Sequence, residues 1–287
     1  MKTNYSHIDI HAHVNFAAFD ADRDETIRRA LDAGVAVINV GTQKDTSRAA
    51  VALSEKYETG VFAIVGLHPV HTSSSFHDAK ELGEPVDSTQ GRGGFTSRGE
   101  VFDTAFYLEL LKHPKVVGVG ECGLDYYRLE EESIARQKEG FLRQIEVANE
   151  SQKPLMLHFR NGSGRSAYND AYDILKTEAR VPGNLHFFAG SVEEAKPFLE
   201  LGYTFSFTGV VTFASQYEEI LRYLPLDRML SETDCPYVAP APFRGKRNEP
   251  MHVREVVKAI SLIKNEKIET VQKQILENAK RVFNLPI

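Results

Sequence analysis

The stretch HIDIHAHVNFAAFDADRDETIRRALDAGVAVINVG, residues 7–41, decides the fold. It opens on one short apolar run, His7–Val14, and closes on another, Val35–Gly41. Between them DETIRRALDAG (24–34) puts Ile27, Ala30 and Leu31 on one helical face and ends at Gly34, the residue type that terminates helices in a left-handed turn. Strand, amphipathic helix, strand is the signature of a βαβ unit with parallel strands.

Outward from this unit the rhythm repeats. Further apolar runs lie at Val61–His68, Val116–Glu121, Pro154–Phe159, Asn184–Phe188, Tyr203–Phe207 and Arg228–Thr233, making eight candidate strands. Most lack period-two alternation, as parallel strands covered on both faces should. Amphipathic segments at 46–60, 131–152, 191–202, 251–266 and 267–283 supply helices. In the third of these, Ser191 and Glu194 stand at capping-box spacing, while Pro197 predicts a kink or a late start. The expected fold is α/β, a single (β/α)8 TIM-type barrel spanning residues 1–287. A doubly wound open sheet is the alternative, and it usually stops at five or six strands. Residues 72–100 (TSSSFHDAKELGEPVDSTQGRGGFTSRGE) break the rhythm as a long insertion after strand three, read as a flap or a variable surface loop at the barrel's mouth.

Composition narrows the class. The 287 residues carry 34 Lys+Arg against 40 Asp+Glu, a net charge of −6, which argues against a general nucleic-acid coat but not against a local basic site. Two cysteines, Cys122 and Cys235, cannot form a disulfide framework and suit a reducing compartment; Cys122 reads as a packing residue. No apolar run reaches membrane-spanning length and the N-terminus lacks a signal-peptide core, so a cytoplasmic protein without membrane contact is expected, with a monomer as the default.

Polar residues fall at the strand ends. His11 and His13 end strand one, His68 strand three, Glu121 strand four, His158 strand five; His186 sits in strand six and Asp234 follows strand eight. A barrel gathers those ends on one face, where the fold places its chemistry. Residues i and i+2 of a strand share a side, so His11 and His13 can grip one ion. Taken singly, each histidine is more often a hydrogen-bonded core residue than a ligand; taken together, the odds reverse. Imidazole and carboxylate donors suit Zn²⁺, Mn²⁺, iron or Ni²⁺, whereas Mg²⁺ favours oxygen alone, and the identity stays open among these. Four histidines and two carboxylates exceed one tetrahedral ion. They suit two divalent ions about 3.5–4 Å apart with Glu121 between them, the arrangement of metal-assisted hydrolases. In this scheme Asp234 also accepts a proton. Arg160, beside His158, reads as a holder of an anionic group or as the partner of a neighbouring carboxylate, and the loop Arg244-Gly245-Lys246-Arg247-Asn248 as a phosphate binder or a solvated basic loop.

The stretches IDIHAH (8–13), GLHP (66–69), GVGECGLDYY (118–127), KPLMLHFR (153–160), LHFFAG (185–190), GVVTF (209–213), SETDCPY (231–237) and PFRGKRNEP (242–250) occur in one order from end to end. In them the chain resembles the TatD-like metal-dependent deoxyribonucleases of the amidohydrolase superfamily. The resemblance implies His11, His13, Glu121, His158, His186 and Asp234 as ligands of a divalent pair, with His68 and Arg160 orienting the scissile phosphate and Arg244 and Arg247 as further substrate contacts. It implies divalent-metal-dependent hydrolysis of DNA from the 3′ end, on single-stranded or frayed ends. Two departures stand out. His186 is followed by Phe-Phe-Ala-Gly where the family usually has Cys-Phe-Ser-Gly, and Val70 separates Pro69 from His71. The same water and metals also suit a carbonyl substrate such as a D-aminoacyl-tRNA ester, the rival expectation.

Overall fold

The computed structural model describes residues 5–78, 94–97, 99–127 and 131–287. Eight strands form one parallel sheet in barrel order: β1 (His7–Ala12), β2 (Val35–Val40), β3 (Val61–Val65), β6 (Val116–Asp125), β7 (Leu155–Arg160), β8 (Gly183–Leu185), β9 (Thr204–Phe207) and β10 (Met229–Ser231). The last strand meets the first just beyond its own end. The amide of Asp234 donates to His11 O at 2.9 Å, and that of His13 to Cys235 O at 2.9 Å. The expected α/β barrel is therefore the fold. β4 (Ser75–Asp78) and β5 (Gly94–Ser97) pair antiparallel within the segment expected to be loop; residues 79–93 and 98 of that segment lie outside the described residues.

Helices follow the strands as α1 (Arg23–Asp32), α2 (Lys44–Glu55), α3 (Thr104–Leu111), α4 (Glu131–Ser151), α5 (Ala167–Glu178), α6 (Val192–Glu200), α7 (Glu218–Tyr223), α8 (Val253–Lys264) and α9 (Ile268–Phe283). In α6 the capping box forms at full length: Ser191 Oγ accepts from Glu194 N (3.2 Å) and Glu194 Oε2 accepts from Ser191 N (2.8 Å). The helix starts there and runs through Pro197, so the late start is not adopted. The cap satisfies first-turn donors and fixes the start. No helix among the described residues is long and apolar enough to cross a membrane.

Three apolar clusters hold the layers, the largest joining β3, β6, β7 and β9 to the helices packed on them. Inside the barrel Ile8, Ile10, Ile38, Ile64, Met156 and Leu230 pack in one cluster; outside, Ala12, Val14, Val35 and Val37 meet Ile27 and Ala30 of α1. Each fully buried aliphatic side chain contributes roughly 1.5–3 kcal/mol.

The same two lists locate a break in β1. On an unbroken strand, Ile8 and Ile10 inside would force His11 and His13 outside. Between Asp9 and Ala12 the chain takes three steps while β2 takes two, from Val37 to Asn39. This β-bulge reverses the alternation and turns both histidines inward above the isoleucines. β6 repeats the device. Val119 to Cys122 opposes Leu155 to Leu157, and the extra residue re-aims Glu121. Gly120, at φ +152°, leaves no room for a side chain: a Cβ there would lie 2.6 Å from Met156 O.

Candidate metal centre

Above the second bulge Glu121 is 3% exposed and stands at the middle of five imidazoles. Its Oε2 lies 3.3 Å from His11 Nε2 and 4.0 Å from His13 Nε2. Its Oε1 lies 2.9 Å from His158 Nδ1, 3.2 Å from His68 Nε2 and 3.3 Å from His186 Nε2. Asp234 Oδ1 closes the first group at 3.4 Å from His13 Nε2 and 3.9 Å from His11 Nε2. All seven residues placed on one rim from sequence therefore meet, and the two oxygens of Glu121 face different histidines.

Hydrogen-bond partners sort those histidines. His13 Nδ1 donates to the carbonyl of Val40 (2.9 Å), which can only accept, so its Nε2 is bare. His186 Nδ1 donates to Glu232 Oε1 (2.8 Å), turning its Nε2 to the centre. His158 Nε2 is tied to Asp125 Oδ2 (3.0 Å), leaving Nδ1 for the centre. His68 is the reverse case. Its Nδ1 accepts the amide of Val70 (3.2 Å), so its Nε2 carries the proton. Distance alone groups His68 with Glu121 and His158 as a metal-holding set; the tautomer makes it a donor instead, in keeping with the role expected from sequence. Among the described residues His11 Nδ1 is buried without a hydrogen-bond partner, and its ring stacks on His186 with centroids 3.6 Å apart.

Bare nitrogens converging on a carboxylate repel it and one another unless positive charge lies among them. Protons supply that charge in part. Burial opposes ionisation of His158, yet Asp125 and Glu121 hold its pKa at about 9. Burial likewise opposes His186, and Glu232 and Glu121 raise it well above the usual histidine range. Burial and the neighbouring His186 push His11 down to about 3, because two stacked rings do not both take a proton. Burial works against Glu121 too, but His68, His186 and His11 hold it well below the ordinary carboxylate range. Divalent cations meet the same demand with this imidazole and carboxylate donor set, so the residues fit a metal.

Some of the site was not singled out from sequence. Glu232 is fully buried; its Oε1 takes His186 Nδ1–H and the amide of Phe187 (2.7 Å), and its Oε2 takes the hydroxyl of Ser206 (2.6 Å). Asp125 holds His158 as Glu232 holds His186. Burial raises the Asp125 carboxyl, and the hydrogen bond and charge of His158, the amide of Tyr127 and His68 together bring it down to about 2. From α4, Gln144 brackets Leu67 through its N–H (2.8 Å) and C=O (2.9 Å), setting His68, while Gln137 brackets Asp125 (2.8 and 3.0 Å). Asp9, buried at the first bulge, accepts the amide and hydroxyl of Thr233 and the amide of His11 (3.2 Å), joining the ligand segments of β1 and β10. A signal existed for Glu232, two residues from Asp234 in one motif, and for Asp125, four from Glu121.

Carboxylates that fix the far nitrogen of a ligating histidine raise its basicity and orient its ring. Glu232→Gln keeps the shape and removes the charge, and is expected to weaken metal binding roughly 10- to 100-fold. Calorimetric titration of metal-free protein checks this, and an unchanged affinity would remove Glu232 from the centre.

Of the cations expected to meet substrate, Arg160 is exposed and stacks on Tyr127, its guanidinium carbon 3.7 Å from the ring centroid. Arg244 is exposed on Phe213 at 3.8 Å. Arg247 is placed differently. It forks onto Asp22 (2.7 and 2.6 Å) with Glu249 at 3.3 Å, so its donors are committed to an ion-pair cluster rather than open to a ligand. His71 is buried, its ring centroid 5.9 Å from that of His68.

Comparison with known proteins agrees with this geometry. The sequence profile of the family described as TatD related DNase matches residues 8–284. The uncharacterized metal-dependent hydrolase YabD of Bacillus subtilis is 36% identical over 282 residues, 96% of this chain and 98% of that one. The uncharacterized metal-dependent hydrolase TatD of Mycobacterium tuberculosis is 32% identical over 291 residues, 97% of this chain and 98% of its own length. Among solved structures the Escherichia coli TatD homologue YjjV superposes with a TM-score of 0.78 at 27% identity, covering all of both chains. With its histidines and acids gathered as such chemistry needs, the chain belongs to the TatD family of metal-dependent hydrolases.

Proposed function

We propose that this hydrolase is a deoxyribonuclease that removes nucleotides from the 3′ ends of single-stranded or frayed DNA, with two divalent ions at the centre. The observation that carries this reading is the division of Glu121, one oxygen toward His11 and His13, the other toward His158 and His186. His11, His13 and Asp234 would hold one ion, His158 and His186 the other, with Glu121 shared. Ions so held lower the pKa of water and neutralise charge on phosphate oxygens.

The chain's own groups then divide the work. Asp234 is the more open acid, its side chain 14% exposed against 4% for Glu121, so it takes the proton of the attacking water. His68, with its proton on Nε2 and a 12% exposed side chain, donates to a phosphate oxygen. Arg160, two residues past His158, supplies a planar pair of donors to the same group. The 3′ polarity and the DNA substrate rest on the family resemblance. A cytoplasmic monomer belongs to the same reading.

The test is incubation of metal-loaded protein with strands labelled at the 5′ or the 3′ end, beside a phosphotriester and an aminoacyl ester. The expected result is cation-dependent shortening from the 3′ end that chelator stops. Turnover of the ester with labelled strands left intact under Zn²⁺, Mn²⁺, Mg²⁺ and Ni²⁺ would overturn the nuclease reading.

A further inference from the structure

Two arginine–aromatic stacks stand at the barrel's mouth and take no part in the metal centre. Arg160 lies over Tyr127 at 3.7 Å and Arg244 over Phe213 at 3.8 Å, the two shortest cation–ring contacts among the described residues. Tyr127 is 55% exposed and Phe213 45%. Among the described residues neither arginine pairs with a carboxylate. The contrast is Arg247, 4.3 Å over Phe19, whose charge Asp22 and Glu249 already meet. Single exposed aromatics are ordinary on protein surfaces. A ring held flat against an unpaired guanidinium presents something more: a π-face for stacking and a fixed fork of N–H donors at its edge.

Both stacks are attached to ligand-bearing segments. Asp125, which fixes His158, also accepts the amide of Tyr127 (2.9 Å) and lies opposite Arg160 in the β6–β7 register. On the other side Phe213 caps the turn Gly209–Thr212 that follows β9. The hydroxyl of Thr212 accepts the amide of Ala241 (2.9 Å), tying this turn to the segment that leaves Asp234 and carries Arg244. In barrel order one stack belongs to β6 and β7 and the other to β9 and β10, with β8, the strand leading into His186, between them. Beside Phe213 an open groove of about 420 Å³, lined by Val211, Ala259 and Leu262 and by the acids Glu218 and Glu255, gives room next to the ring.

We propose that Tyr127 with Arg160 and Phe213 with Arg244 are two nucleotide subsites that grip a single strand on either side of the metal centre. A base stacks on each platform while the guanidinium edge takes a phosphate oxygen. This inference rests on the nuclease reading and adds the means of holding the substrate. Stacking of this kind tolerates any base and needs bases free of a duplex, so it selects single strands. An ester or triester without bases gains nothing from it.

The test is fluorescence anisotropy with a labelled phosphorothioate strand, which resists cleavage, in the presence of Mn²⁺. Its partners are an abasic strand of equal length and a blunt duplex. Each platform is expected to contribute about 5- to 150-fold to the preference of wild-type protein for the base-bearing strand over the abasic one. Tyr127→Ala and Phe213→Ala are each expected to lose part of that preference and the double variant all of it, while Tyr127→Phe keeps it. Arg160→Ala and Arg244→Ala should weaken base-bearing and abasic strands alike and lower the salt dependence by about one counterion each. Thermal melts confirm that the variants fold. If wild-type protein shortens labelled strands but the double variant keeps the full preference for bases, the subsites fall and the nuclease stands. If wild-type protein neither binds nor shortens any strand, both fall together.

Discussion

Glu121→Ala is expected to reduce turnover by about 10³-fold or more and, on the proposed two-ion centre, to lower bound metal to one ion per chain or none. The expectation follows from position. Among the described residues Glu121 is the one group within reach of His11, His13, His158 and His186, and it touches them through different oxygens. Removing a buried carboxylate usually strands the positive charge it balanced. Here His158 keeps Asp125 and His186 keeps Glu232, so the barrel should survive the change. Glu121→Gln serves as the partner variant, since it preserves volume in the β6 bulge and removes only the charge. Elemental analysis of dialysed protein beside rate measurements checks the result. Two ions retained with turnover within tenfold of wild type would show that Glu121 does not join the two halves of the site.

What the sequence revealed of this site, and what it hid, follows from the range of each interaction. The eight strands and the ends they share were readable because apolar runs and closing glycines are local signals. The histidine pair was readable for a reason that needed one more step. Two residues apart on a strand share a face, but which face depended on the bulge between Asp9 and Ala12, and nothing in IDIHAH announces an extra residue. In β6 the glycines at 118, 120 and 123 did mark irregular backbone around Glu121. Arg247 shows the opposite limit. Next to Arg244 in sequence it looks like part of one basic loop, yet Asp22, 225 positions away, claims its guanidinium. Tyr127 and Phe213 close two of the motifs that carry the family resemblance, GVGECGLDYY and GVVTF, yet nothing in those motifs tells that their rings are exposed and stacked, because that appears only once distant loops meet at the mouth.

Asp234→Asn is expected to separate holding metal from using it. Asparagine keeps a side-chain oxygen at the same place, and His11 and His13 remain to grip an ion, but the amide cannot take a proton from water. The loss in kcat should therefore fall between 10²- and 10⁴-fold, the usual worth of a positioned general base. Metal binding itself stabilises the folded chain. At a free concentration about 1,000 times Kd the gain is about 4 kcal/mol, and for a domain somewhat below this size each kcal/mol moves Tm by roughly 2–4 °C. Stripping divalent ions from wild-type protein should accordingly lower Tm by roughly 10 °C, and restoring them should reverse the change. The same rise on metal addition should persist in Asp234→Asn while its turnover stays low. Activity within tenfold of wild type would deny Asp234 the proton. A variant that loses both the thermal response and the activity would make it a ligand alone, with proton acceptance left to another group at the mouth.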